Sequence, residues 1–205
     1  FQVAVHAIGT AANAEARNAI ADVADSFSGD RRWRIEHAQI VDPVDIPKFA
    51  SAKVIASMQP VHQTSDRTMA EARLGPNRLD GAYAWKTIAN TGAMLAFGSD
   101  APVESPDPFA GLAAAFTRTD SDGQPFGCWR PQEAVSREQA LAAFTANASY
   151  AGFGEGRFGK LVVGERADFV LVDQDPLLAT PEQVRRTKVR ETWVGGRRVY
   201  AADTE

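Results

Sequence analysis

The feature that most constrains this chain is an alternation of short apolar runs with helical stretches from residue 1 to about residue 118. That alternation is the signature of βα units around a parallel sheet. Strands are expected near residues 2–6, 33–37, 53–58 and 93–97, with helices near 11–27, 42–52, 81–91 and 109–117. Asp42 is placed to cap the second helix, with Pro43 at its first position. The polar stretch 59–80 reads as a long connection and 120–131 as a second one, and long loops in compact domains commonly carry function. Ser136 and Gln139 have capping-box spacing, opening a helix through about Ala148. The periodicity then turns β-rich at 158–164, 167–173 and 190–194, and Gly195-Gly196 makes a two-residue hairpin to 197–200. The sequence thus divides into an α/β region, 1–153, and a small β region, 154–205.

Three of the expected strands end in a potential metal ligand. Val3-Ala4-Val5 leads to His6, Arg34-Ile35-Glu36 to His37, and Met94-Leu95-Ala96-Phe97-Gly98-Ser99 to Asp100. In a βα barrel the catalytic groups sit at the C-terminal strand ends, so all three would face one mouth. His6 and His37 are 31 positions apart and His37 and Asp100 are 63 apart, which fits one βα unit and then two. A catalytic zinc site asks for about three protein ligands and an open position for water. Asp100 suits a second task, accepting a proton from activated water and passing it on. The bland reading stays open. A histidine at a strand end is more often a hydrogen-bonding or solvent-facing residue than a ligand, and Gly98-Ser99-Asp100-Ala101-Pro102 equally suits a turn. His62 either faces substrate or is a polar loop residue, with Pro60 directing the loop. Glu36 is expected on the opposite strand face from His37, toward the helices. Asp168 is expected to order a turn.

Composition removes other classes. With 44% hydrophobic and 23% charged residues the chain is ordinary for a globular protein. A formal charge of -4 with dispersed basic residues leaves no nucleic-acid footprint. The single cysteine, Cys128, excludes an internal disulfide framework and a thiolate metal cluster, leaving imidazole and carboxylate as ligands. No apolar run approaches the roughly 20 residues of a membrane span, so no membrane partner is expected. The compartment is not fixed, with the cytoplasm favoured.

Taken in order, several motifs resemble the metal-dependent amidohydrolase superfamily, in its amidohydrolase-3 or YtcJ-like branch. They are Val5-His6-Ala7-Ile8-Gly9, Arg34-Ile35-Glu36-His37-Ala38-Gln39, Met58-Gln59-Pro60 and Phe97-Gly98-Ser99-Asp100-Ala101-Pro102-Val103. Ala140-Leu141, Thr145-Ala146-Asn147, Gly159-Lys160-Leu161, Gly164, Ala167-Asp168 and Trp193-Val194-Gly195-Gly196 continue the likeness nearly to the end. The resemblance implies the C-terminal half of a TIM-type (β/α)8 barrel, strands five to eight, with part of a small β-sandwich. It implies His6, His37 and Asp100 as metal ligands, with Asp100 also assisting proton transfer. The implied cofactor is a divalent metal, zinc, one or two per longer protein. The implied reaction is hydrolysis of a non-peptide carbon–nitrogen bond, amide or formamide-like, in a small-molecule substrate.

Two departures accompany the likeness. The family's His-x-His pair on the first strand and its bridging lysine on the fourth have no counterpart, and Thr10 stands where the family commonly has Asp. Residues 1–205 alone are therefore expected to be an inactive fragment that holds metal weakly or not at all. Four strands of an eight-stranded barrel leave open edges, so self-association is expected. The alternative is a catalytically degenerate binding or regulatory protein on the same fold.

Overall fold

The computed structural model describes residues 1–26 and 28–203. Four short strands, β1 (Ala4–Ala7), β2 (Arg34–His37), β3 (Ile55–Met58) and β4 (Leu95–Phe97), form a parallel sheet in that order. Between and after them come α1 (Thr10–Asp22), α2 (Pro47–Ser51), α3 (Pro60–Leu74), α4 (Trp85–Asn90) and α5 (Pro108–Thr117). Helices α6 (Arg137–Phe144) and α7 (Ala146–Ala151) follow. The last part holds β5 (Phe169–Val172), α8 (Pro181–Arg185), β6 (Val189–Val194) and β7 (Arg197–Ala201), with the three strands forming an antiparallel sheet. The chain is thus α/β.

Strand register sorts the parallel sheet into two chemically different faces. Val5, Ile35, Ala56 and Leu95 lie side by side across the four strands. Ile35, Ala56 and Leu95 are buried and Val5 packs against the main apolar core, with Ile20 of α1, Trp85 and Ile88 of α4, Leu112 of α5 and Ala140 of α6. Strand side chains alternate, so the next set, His6, Glu36, Ser57 and Ala96, belongs to the other face. There Ile55 and Ala96 meet Ala151 at the end of α7 in a small separate cluster. Asn147 Nδ2 donates to the Leu95 carbonyl at 3.0 Å, and the Ala151 carbonyl accepts from Gln2 and Arg34. Helix α7 therefore crosses the sheet at its N-terminal end, leaving the opposite end to the histidines.

Several boundaries differ from the sequence expectation. The stretch 59–80 is not a loop: Pro60 starts the 15-residue α3, because a fixed φ and a missing N–H cost nothing at the first helical position. Asp42 instead caps a turn, accepting from Val44 N at 3.1 Å, and the helix begins at Pro47. The first helix ends at Asp22, a short 3-10 turn follows at Ala24–Ser26, and Phe27 lies outside the described residues. The capping box at Ser136 forms as expected, but Thr145 breaks the helix in two. The segment 158–164 forms no strand. Gly159 and Gly164 take left-handed conformations, and a Cβ on Gly159 would meet Ser149 Cβ at 2.6 Å.

The hairpin at Gly195-Gly196 forms with both residues at positive φ. Asp168 orders that turn, accepting from Gly195 N at 2.7 Å and from Arg166. The β-rich region packs on the α/β region. Val184 of α8 is fully buried in the main core, and Arg137 donates to the Pro176 carbonyl at 2.7 Å.

Candidate metal centre

The chain has three histidines, and all three meet at the C-terminal end of the parallel sheet. The His6 and His37 rings stand edge to face with centroids 4.5 Å apart, and the His37 and His62 rings are nearly parallel with centroids 5.9 Å apart. His62 Nε2 lies 4.0 Å from Asp100 Oδ2. One ligand atom each from His37, His62 and Asp100 falls within 4.8 Å of the others. His6 is exposed, His37 half-buried, His62 buried and Asp100 exposed.

Backbone conformation explains how neighbouring residues converge here. In register, His37 pairs with Ala7, whose side chain faces the helix side. Alternation alone would send His37 there too. Instead His37 has φ 76° and the following Ala38 φ 44°, a left-handed kink that turns the imidazole to meet His6 and His62. By strand register Glu36 shares the His6 face, a correction to its expected place among the helices. It pairs with Arg34, two residues back on the same face, and lines a cavity of about 250 Å³ with Ser57, Gln59, Ala96 and Gly98. Asp100 is left-handed as well, φ 58°. Such conformations cost on the order of 1–3 kcal/mol each and gather at functional positions.

The second layer holds the imidazoles in place. Gln59, at the start of α3, accepts a hydrogen bond from His37 Nδ1 at 2.9 Å through Oε1. A proton on Nδ1 leaves Nε2 with its lone pair free, as metal-ligating histidines require. Asp66, one turn beyond His62, accepts from Gln39 Nε2 at 3.0 Å and from Tyr83 Oη at 3.2 Å. Those bonds tie α3 to the chain just past β2. Ser65 Oγ donates to Glu104 Oε1 at 2.6 Å, tying α3 to the segment that carries Asp100. Gln59, Gln39, Asp66 and Glu104 were not singled out from the sequence. Gln59 and Gln39 did stand inside quoted motifs, whereas Asp66 and Glu104 are joined to the centre only by the fold.

Burial holds the His62 imidazole below its ordinary pKa, opposed by the Glu104, Asp100 and Asp66 carboxylates. Its neutral form is favoured, and its buried Nε2 has no hydrogen-bond partner. The His6 and His37 imidazoles, the second with a free Nε2, and the Asp100 carboxylate make a donor set suited to a divalent cation such as zinc, and the orphaned His62 nitrogen stands beside it. The residues fit the group.

The two segments expected as long connections, 59–80 and 120–131, are joined. Trp129 Nε1 donates to Glu71 Oε1 at 2.7 Å, and Arg67 and Arg130 pair with Asp120 and Asp80 at 3.5 and 2.9 Å. Beneath them the buried Arg118 stacks 4.0 Å over Trp85 and donates to the Trp129 and Tyr83 carbonyls. Burial brings its pKa down to about 9.

Comparison with known proteins identifies the family. The sequence pattern of the Amidohydrolase family matches residues 1–200. The chain is 33% identical over 200 residues to the putative amidohydrolase YtcJ of Bacillus subtilis, covering 98% of this chain and 37% of that protein. It is 34% identical over 206 residues to protein LONG AFTER FAR-RED 3 of Arabidopsis thaliana, covering 98% and 34%. Over 197 residues it is 24% identical to the N-substituted formamide deformylase of Arthrobacter pascens, covering 96% and 36%. The crystal structure of an uncharacterized metal-dependent hydrolase from Pyrococcus furiosus superposes with a TM-score of 0.72 at 36% identity, covering 86% of this chain and 34% of that one. The chain spans about a third of the length of the curated relatives it matches. With its motifs in order from end to end, the chain belongs to the amidohydrolase family, in the branch that holds the YtcJ-like proteins.

Proposed function

We propose that this chain is the C-terminal portion of a metal-dependent hydrolase that cleaves a non-peptide carbon–nitrogen bond, amide or formamide-like, in a small molecule. In this reading residues 1–153 form half of a TIM-type (β/α)8 barrel and 154–205 part of a β-sandwich. The observation that carries the reading is the meeting of every histidine in the chain with Asp100 at one end of a parallel sheet. The similarity to a formamide deformylase supports the substrate class.

His6, His37 and Asp100 would hold the divalent cation, with His62 beside them on the substrate side. When bound, the cation supplies Lewis acidity toward a carbonyl oxygen and acidifies water. Asp100 takes the proton of the attacking water at Oδ2. As the new carbon–oxygen bond completes and the carbon–nitrogen bond breaks, Asp100 returns that proton to the leaving nitrogen. Gln59 keeps His37 in one tautomer throughout. The joined segments 59–80 and 120–131 border the mouth and select the substrate.

The test joins residues 1–205 to the remaining length its relatives possess. That protein should retain near-stoichiometric zinc after mild chelation and hydrolyse N-substituted formamides or amides, losing activity when stripped. Absence of metal and of hydrolysis would favour the binding-protein alternative. For residues 1–205 alone we propose self-association. The edges β1 and β4 and the exposed Val170, Leu171, Val199 and Tyr200 of the second sheet are the pairing surfaces. Light scattering should give a mass above the 22.1 kDa of one chain, and a clean monomer would refute the pairing. Among the described residues no helix is long and apolar enough to cross a membrane.

A further inference from the structure

We infer that Arg118 is a positioning residue for the substrate side of the site: its buried guanidinium holds segment 120–131 and α3 in fixed places at the C-terminal strand ends. The inference rests on the hydrolase reading and names the residue from which the substrate-selecting segments hang.

The path of the chain between β3 and β4 comes first. Helix α3 starts at Pro60, two residues after β3 ends. Beyond it the chain returns to the segment after β2, where Val41 N donates to the Gly81 carbonyl at 2.9 Å and Tyr83 N to the Gln39 carbonyl at 2.7 Å. Both ends of the excursion 59–83 therefore lie at C-terminal strand ends, and α4 alone leads back to the start of β4. Connections on that side of a parallel βα sheet are the ones that build an active-site mouth. The excursion after β4 stays on the same side. Its Glu133 is 3% exposed and accepts from the backbone N–H and the hydroxyl of Thr87, in the first turn of α4.

Arg118 stands where the two excursions meet. It is fully buried. Nη1 donates to the Tyr83 carbonyl at 2.9 Å and Nε to the Trp129 carbonyl at 3.0 Å, while the Trp85 and Trp129 rings lie 4.0 and 5.3 Å from Cζ. Trp129 N closes the junction by donating to the Arg118 carbonyl at 3.1 Å. A guanidinium offers directed donors and a flat stacking face at once, and an ammonium offers neither fork nor face. Tyr83 carries the connection onward. Its Oη donates to Asp66 on α3, and Gln39, two residues beyond His37, donates to both groups. Arg118 thus acts on the imidazole-bearing segments through Tyr83, without touching them. Backbone conformation agrees with this reading. Arg118, Tyr83, Cys128 and Arg130 have φ of 60°, 49°, 69° and 50°, and such conformations persist only where their surroundings over-determine them.

The experiment places Arg118→Met and Arg118→Lys in the longer protein of the preceding test and reads kcat, KM and zinc content with an N-substituted formamide. Arg118→Met should raise KM by at least about tenfold, with kcat and zinc little changed. Arg118→Lys should keep the raised KM. A merely structural role would shrink the folded fraction, lowering apparent kcat at unaltered KM, and that result overturns the inference, as does full recovery in Arg118→Lys. Should Arg118→Met not fold, Glu71→Ala takes its place: Glu71 is exposed and accepts from Trp129 Nε1. Its KM should rise in the same direction by less, and an unmoved KM overturns the inference. On residues 1–205, hydrogen exchange in Arg118→Met should quicken over 60–74 and 119–131 while β2 and β3 stay protected; quickening everywhere or nowhere refutes the role. That readout needs no turnover, so a longer protein that hydrolyses nothing sinks the proposed reaction and leaves the exchange result to judge Arg118 separately.

Discussion

The two sheets of this molecule are built on opposite economies of burial. The parallel sheet contributes only three or four residues per strand, yet Ile35, Ala56, Met58, Leu95 and Phe97 are all buried. The antiparallel sheet has strands of four to six residues, and every residue of β7 is exposed. Parallel sheets depend on covering layers, whereas antiparallel hairpins can stand with a face in water. The comparison teaches where rigidity is available. A site that must hold three side chains to fractions of an ångström sits on the short, covered strands. The antiparallel sheet holds together by register, by its Gly195-Gly196 turn and by one aromatic stack.

The sharpest way to break the comparison is to truncate one tryptophan in each region. Trp85 is fully buried beneath Arg118 and edge-on to Phe97. Trp85→Ala should cost about 3–5 kcal/mol in denaturant unfolding. Trp193 is half-buried and stacks on Phe169 with centroids 5.6 Å apart. Trp193→Ala should cost about 1–2 kcal/mol, with hydrogen exchange rising in β5–β7 while β2 and β3 stay protected. Equal losses would mean that the two sheets melt as one unit and that the contrast in burial carries no energetic weight.

A smaller effect sharpens it from the side of the histidines. Burial lowers the His62 pKa in the folded state from an ordinary 6.5, so the unfolded chain binds the proton more tightly. Stability should therefore be full above about pH 6.5 and decline as pH falls through the window beneath it, until the folded pKa is passed. His62→Gln should flatten that part of the stability profile, measured by urea unfolding between pH 5 and 7.5. An unchanged slope in the variant would place the titration elsewhere.

Much of this was legible in the sequence, for identifiable reasons. The four parallel strands announced themselves because both alternation and flanking turn residues marked them, and Ser136-Gln139 and Gly195-Gly196 are local signals that tertiary contacts did not override. Helix α3 was missed because its buried positions include His62 and Gln63 rather than aliphatic residues, so its period carries little hydrophobic contrast. Helix α8 was missed although Thr180 and Gln183 form a capping box around Pro181, its five residues being too few to show a period. The centre itself was half legible. His6, His37 and Asp100 end strands, and strand ends can be read from pattern. The role of Gln59 could not be, because it follows from the left-handed turn at His37, and no periodicity encodes a positive φ at a non-glycine residue.

That turn sets the chemistry of the chain against its own durability. An imidazole is useful at position 37 only while the backbone stays in a region that β-carbon-bearing residues avoid, and asparagine enters that region with less resistance than most. His37→Val, with a β-branched side chain, should consequently lower the melting temperature of the 205-residue chain, while His37→Asn should leave it nearly unchanged as it removes the imidazole from the centre. A histidine here is therefore a residue the fold can hold at positive φ, not one the fold requires.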